Sequence, residues 1–78
     1  MKVVQLYTRV GCHLCEVVEA QLERLRQNVA FSVEVVDVDS DPKLAEAYGM
    51  EVPVVMLDGK KLAKYHLDEA MLLRRLQA

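Results

Sequence analysis

The sequence lacks a long apolar run, a basic stretch and an early apolar segment, and each absence removes a class of protein. No run approaches the roughly 20 apolar residues that cross a bilayer, so we expect no membrane span. With a net charge of -2 and no basic patch, we expect neither nucleic acid nor an anionic membrane surface as a partner. Polar Gln5 comes too early for the apolar core of a signal peptide. We therefore expect a cytoplasmic protein.

The size of the chain leaves room for one modest core. A chain of 78 residues buries only about 60% of its unfolded surface, and we expect residues 1–78 to form a single domain. Its hydrophobic share of 53% and charged share of 28% are typical of a folded chain rather than a disordered one. We expect a monomer.

Cysteine is scarce, but the two cysteines are close together. Cys12 and Cys15 form a C-x-x-C motif. A disulfide across so small a loop would stabilise the fold by only roughly 2 kcal/mol. Natural staples of small domains close longer loops and come in sets. The spacing therefore favours reactivity or metal binding over a structural role.

The residues around the motif place it between a strand and a helix. The β-branched run Lys2 to Tyr7 predicts a buried strand. Gly11 can relieve backbone strain in the loop that follows. From Cys12 to about Asn28 the apolar residues recur with helical spacing, namely Leu14, Val18, Leu22 and Leu25. The cysteines thus lie where a helix begins.

A helix start favours thiolate over thiol, because its backbone N–H groups are free and its dipole is positive there. This effect lowers a cysteine pKa by roughly 0.2 to 1.5 units from its usual value of about 8.5. The helix alone can bring the pKa of Cys12 near 7, which suits an attacking thiol. Cys15 lies one turn further in, so we expect it to react second.

The rest of the chain predicts two more helices and three more strands. Phe31 to Asp39 predicts a strand at or near a sheet edge, and Asp58-Gly59 a hairpin turn. The other predicted elements are a helix from Pro42 with Asp41 as its cap and Gly49 as its stop, strands Val54–Leu57 and Lys60–Lys64, and a helix from Leu67 to Leu76. The order is β-α-β-α-β-β-α. The first strand–helix–strand unit must be parallel.

Three segments resemble the glutaredoxins and small glutaredoxin-like proteins of the thioredoxin superfamily. The segments are Leu6 to Cys15, Tyr48 to Val55, and Leu57-Asp58-Gly59. They correspond to that family's active-site segment, its cis-proline segment and its hairpin, in the same order. The resemblance implies a thioredoxin-like α/β fold, with a four-stranded mixed sheet and helices on both faces.

The resemblance also implies roles for individual residues. Cys12 would attack and Cys15 would resolve. Pro53 would be cis, with Val52 offering its backbone to a bound peptide or glutathione. Arg9 stands where many glutaredoxins carry a lysine that meets a glutathione carboxylate. The implied activity is thiol–disulfide exchange on protein or glutathione mixed disulfides, with glutathione as a co-substrate, an unidentified reductant, no bound cofactor and no metal.

The chain departs from the family pattern at two places. His13-Leu14 replaces the usual Pro-Tyr between the cysteines. After the hairpin, the stretch Ala63 to Asp68 lacks the family's Gly-Gly pair, and its acidic residue, Asp68, is displaced. His13 would either add positive charge beside Cys12 and lower its pKa or simply face solvent.

The alternative function is binding of a soft metal by the same two sulfurs. Small copper chaperones also place C-x-x-C at a helix start, and a shared iron–sulfur cluster needs only two cysteines per chain. Those chaperones run β-α-β-β-α-β, however. The three helix patterns and Val52-Pro53 of this chain favour the redox interpretation.

Overall fold

The element order of the protein matches the predicted one. A computed structural model describes residues 1–77. It has four strands, β1 (Lys2–Thr8), β2 (Phe31–Asp37), β3 (Val54–Leu57) and β4 (Lys60–Lys64), and three α-helices, α1 (His13–Arg26), α2 (Pro42–Tyr48) and α3 (Glu69–Gln77). A 3-10 turn, Val38–Ser40, follows β2. Within residues 1–77 no helix is long and apolar enough to cross a membrane.

The strands form one mixed sheet in the order β2-β1-β3-β4. β1 and β2 are parallel, with Thr8 opposite Asp37 at their carboxyl ends. β3 is antiparallel to both β1 and β4, so the predicted parallel unit and hairpin are confirmed. Because Tyr7 pairs with Val54, the end of β1, the end of β2 and the start of β3 meet at one edge of the sheet.

Helices cover both faces of the sheet, as predicted. One face packs on α1 and α3 through a core of Val4, Leu6, Val18, Leu22, Phe31, Val55, Leu57, Leu67 and Leu72. On the opposite face Tyr7 stacks on Tyr48 of α2, with ring centroids 4.8 Å apart. The sheet is therefore the middle layer, and its cysteine-bearing end is covered on both sides.

The buried face of α1 differs from the predicted one at its first turn. Cys15, Val18 and Leu22 are buried, whereas Leu14 is 37% exposed. The buried positions follow one another at spacings of three and four, which is one stripe of a helix. That stripe starts at Cys15 rather than Leu14, so the prediction for Leu14 is wrong. The helix also ends at Arg26, before the predicted Asn28.

Strand β2 is shorter than predicted. It ends at Asp37, not Asp39, because the chain turns there into the 3-10 segment. The Asp37 carboxylate accepts the Asp39 backbone N–H at 2.9 Å, and the Ser40 hydroxyl donates to the Asp37 carbonyl at 2.6 Å. Val38 is fully buried beneath this turn. The predicted edge position of β2 is confirmed.

The local turn and cap signals are confirmed with one small shift. The Asp41 carboxylate caps α2, Pro42 is its first residue, and Gly49 caps its end. Asp58-Gly59 has two positive φ angles, 53° and 76°, as a tight hairpin turn requires. Helix α3 begins at Glu69 rather than Leu67.

Candidate active site

The two cysteines form a disulfide at the amino end of α1. Their Cα atoms are 5.2 Å apart, within the normal range for a bridge. Cys12 is the N-cap residue of the helix, and its Sγ accepts the backbone N–H of Cys15 at 3.1 Å. In the reduced protein a donor in this position favours the charged form of the sulfur. The expected placement at a helix start is confirmed.

The two sulfurs differ in access. Cys15 is 3% exposed and is part of the core, whereas Cys12 is half-buried at the surface. A thiolate can attack an outside disulfide only where that disulfide can reach it. The geometry therefore lets Cys12 meet a partner and keeps Cys15 behind it.

A glycine turn sets the position of Cys12. The Cys12 N–H donates to the Arg9 carbonyl at 3.2 Å, which closes a tight turn before the helix. Gly11 has a φ of +82°, a conformation that side-chain-bearing residues rarely adopt. The turn brings the chain from the end of β1 directly to the N-cap.

A pocket of about 290 Å³ lies beside the disulfide. It is lined by the loop from Thr8 to Cys12 together with Cys15, Glu16, Glu19 and Asp37. Asp37 reaches it because β2 ends next to β1. The pocket thus has three carboxylates in its lining and one cation, Arg9.

Arg9 is engaged by the protein itself. Its Nε and Nη2 donate to the two Asp39 carboxylate oxygens at 3.0 and 3.1 Å, and its Nη1 donates to the Gly49 carbonyl at 3.1 Å. A β-carbon on Gly49 would lie 2.6 Å from Arg9 Nη2. The sequence did not indicate Asp39 or Gly49 as partners, because they lie 30 and 40 residues away.

Pro53 and Val52 lie at the same end of the sheet. The Val52–Pro53 peptide is cis, as predicted. Pro53 directly precedes Val54, which pairs with Tyr7, so the cis bond lies beside the residue that leads into the Cys12 loop. The Pro53 carbonyl accepts the Tyr65 N–H at 2.9 Å. Contact of this segment with a substrate remains a prediction.

His13 projects away from the core at the first position of α1. Its side chain is 85% exposed, and its Nδ1 lies 4.0 Å from Glu16 Oε2. It therefore follows Cys12 directly but faces solvent and a carboxylate. An effect of His13 on the reactivity of Cys12 remains a prediction.

Two apolar side chains protrude from the surface, one in the loop before Cys12 and one in the segment before the cis-proline. Val10 and Met50 are each 87% exposed. The bond from Arg9 to the Gly49 carbonyl holds their two segments side by side. The Met50 carbonyl also accepts the Tyr65 hydroxyl at 3.1 Å. Exposed apolar side chains next to a reactive group suit contact with a protein surface.

In the part of the chain that the structure describes, residues 1–77, no group of three or more Cys, His, Asp or Glu side chains is arranged to hold a metal ion. The cysteine pair is in its oxidised form, with an acidic pocket on one side and a cis-proline segment nearby.

Comparison with family models identifies the class of protein that this fold and site define. Residues 3–77 match the glutaredoxin-like domain (DUF836), and the chain belongs to that family. An uncharacterized protein of Mycobacterium tuberculosis is 37% identical over 71 residues, which cover 85% of this chain and 73% of the relative.

Solved structures agree with this assignment. A protein from Nitrosomonas europaea, solved by solution NMR, superposes with a TM-score of 0.84 at 33% identity and covers 95% of this chain and 89% of its own. A mutant thioredoxin from Halobacterium salinarum has a TM-score of 0.70 at 28% identity, with 97% of this chain and 72% of its own covered. The thioredoxin-like fold is thereby confirmed.

Proposed function

We propose that the protein is a thiol–disulfide oxidoreductase that reduces protein or glutathione mixed disulfides through Cys12 and Cys15. The observation that carries this proposal is the pairing of an accessible N-cap sulfur with a buried second sulfur in one disulfide. Accessibility supports attack on an outside partner, and burial supports an intramolecular second step. Membership of the glutaredoxin-like family is consistent with it.

The first step is attack by the Cys12 thiolate on one sulfur of a substrate disulfide. A bond forms between Cys12 Sγ and that sulfur, the substrate S–S bond breaks, and the second substrate sulfur leaves as a thiolate that takes a proton from water. The helix amino end and the Cys15 N–H stabilise the attacking thiolate.

The second step releases the product and oxidises the protein. Cys15 loses its proton and attacks Cys12 Sγ, and the remaining substrate thiolate leaves. Two electrons have then passed from the Cys12–Cys15 pair to the substrate. An external reductant, a dithiol or two molecules of glutathione, returns the pair to the dithiol state.

The segment around the cis-proline is proposed to hold the substrate. Val52 would offer its backbone N–H and carbonyl to an extended substrate segment, beside Pro53. Val10 and Met50 would contact apolar groups on a protein partner, which their exposure supports. His13 would add positive charge next to Cys12 when protonated.

The remaining expectations extend this proposal. The protein would act as a cytoplasmic monomer without a bound cofactor, with a disulfide-bearing protein or glutathione as substrate and a separate reductant. Nucleic acid and membrane have no part in the reaction.

Single cysteine variants test the order of the two steps. We expect C12S to abolish exchange with a model peptide disulfide. We expect C15S to accumulate a mixed disulfide with one peptide half on Cys12, read as an added mass that a reducing agent removes. Trapping of peptide by C12S, and none by C15S, would reverse the assigned roles.

A redox titration tests the dithiol mechanism itself. The protein is equilibrated in glutathione buffers, its free thiols are alkylated, and the two states are counted by mass. A midpoint between about −200 and −230 mV fits a glutathione-linked reductant, and one near about −270 mV fits a thioredoxin-like one. Failure to form the Cys12–Cys15 bond would overturn the mechanism in favour of metal binding.

A further inference from the structure

Acidic side chains outnumber basic ones in the pocket beside the disulfide. Glu16, Glu19 and Asp37 line the pocket beside Cys12. Within residues 1–77, Glu16 meets only the exposed His13 at 4.0 Å, and neither Glu19 nor Asp37 pairs with a cation. These carboxylates therefore repel an anion that approaches the sulfurs.

Arg9 is the cation that could offset them, but Asp39 holds it. The two residues share a bidentate pair, with distances of 3.0 and 3.1 Å, and the planar fork of an arginine is fixed by such a pair. The third contact, to the Gly49 carbonyl at 3.1 Å, fixes the remaining end of the guanidinium. Arg9 is thus held in place and its charge is neutralised by Asp39, which lies outside the pocket lining.

We propose that Asp39 determines substrate choice at this site: by engaging Arg9 it leaves the pocket beside Cys12 acidic, so neutral and cationic disulfides react faster than anionic ones. The inference rests on the proposed function and narrows its substrate class. Glutathione disulfide, with two carboxylates and one ammonium in each half, belongs to the disfavoured group. The favoured substrate is a protein whose disulfide is flanked by lysine or arginine.

The test uses three disulfide-linked peptides of equal length, with lysine, serine or glutamate beside the cysteine, and glutathione disulfide as a fourth probe. The chain has no tryptophan, so reaction of the reduced protein is followed by acid quenching, alkylation and mass. At low salt we expect the lysine peptide to react at least about tenfold faster than the glutamate peptide. High salt should reduce this ratio to about twofold, since screening weakens interactions between exposed charges.

The variant D39N should leave the charge of Arg9 unpaired. We expect it to lower the ratio of the lysine-peptide rate to the glutamate-peptide rate by about threefold or more, and to raise the rate with glutathione disulfide by a matching factor. Asp58 is an exposed residue of the hairpin turn and lines a surface pocket with Lys2 and Val3 at the other end of the sheet. D58N therefore removes the same charge away from the site, and Asn-Gly suits the same turn. We expect D58N to leave the ratio of the lysine-peptide rate to the glutamate-peptide rate within about 1.5-fold of its value in the unmodified protein. In R9Q/D39N the rate increase that D39N gives with anionic disulfides should disappear, because the unpaired arginine that causes it is absent.

The outcomes separate this inference from the function on which it rests. Exchange with all peptides at equal rates, or an equal effect of D58N and D39N, would overturn the role of Asp39 and leave the oxidoreductase standing. No exchange with any peptide would overturn both. Circular dichroism of D39N verifies its folding, and the salt dependence of the unmodified protein tests the acidic pocket without any variant.

Discussion

Gly49 is the position where a normally stabilising substitution should have the opposite effect. Its φ of −57° and ψ of −31° are helical, and in such a conformation Gly→Ala usually stabilises a protein by about 0.4–1 kcal/mol. Here the added β-carbon would collide with the Ala45 carbonyl oxygen and lie 2.6 Å from Arg9 Nη2. Overpacking of this kind costs about 1–3 kcal/mol. We therefore expect G49A to be destabilised by about that amount.

The assay is urea denaturation followed by far-ultraviolet circular dichroism, with G49A compared with the unmodified protein. R9A and R9A/G49A complete a double-mutant cycle. The Arg9 contact should disappear in that background and the Ala45 contact should persist, so the cost of G49A should shrink without vanishing. A G49A protein more stable than its parent would refute the steric argument. An unchanged cost in the R9A background would assign the whole effect to Ala45.

Two further predictions concern the core and the surface. L22A should lose about 2–5 kcal/mol of stability in urea denaturation, because Leu22 is fully buried. The control V35A, at a position 48% exposed, should lose under about 1 kcal/mol. Equal losses in the two variants would place Leu22 outside the core. The pKa of Glu51 is lowered by its hydrogen bond from Lys61, so this pair stabilises the fold at neutral pH and that contribution is lost as the carboxylate protonates below about pH 5. E51Q should therefore unfold at a lower urea concentration than its parent at pH 7, and this difference should shrink as the pH falls below 4.5, the usual pKa of a glutamate. A difference that stays constant with pH would exclude the ion pair as its source.

Local signals in the sequence predicted most of the fold. The Asp41-Pro42 start of α2 and the Asp58-Gly59 turn act through neighbouring backbone groups, so their effect is readable from a few residues. The parallel pairing of β1 with β2 followed from the rules for strand–helix–strand connections, and the pairing of β3 with β4 followed from the turn. The pairing of β1 with β3 was not predicted. The cis state of Pro53 was different, because it came from the family resemblance and not from the residues themselves.

The charge balance of the site could not be predicted, because it depends on contacts across the fold. Arg9 and Asp39 are ordinary charged residues in the sequence, and only the turn after β2 brings them together. The position of Asp37 in the pocket also depends on a distant contact, because the register of β2 against β1 places Asp37 opposite Thr8. The first buried residue of α1 likewise depends on how the first turn of the helix packs against the sheet. The spacing of apolar residues alone does not decide between Leu14 and Cys15.

The bond from Lys2 Nζ to the Arg75 carbonyl, 3.0 Å long, has a practical consequence for handling the protein. It places the beginning of β1 beside the last turn of α3, at the end of the sheet away from the cysteines. β1 spans seven residues, or about 20 Å at the usual rise of a strand. A linker attached near residue 2 or near residue 77 would therefore be at the end of the molecule opposite Cys12. Protein anchored to an electrode or bead at either place would present its disulfide to the solution.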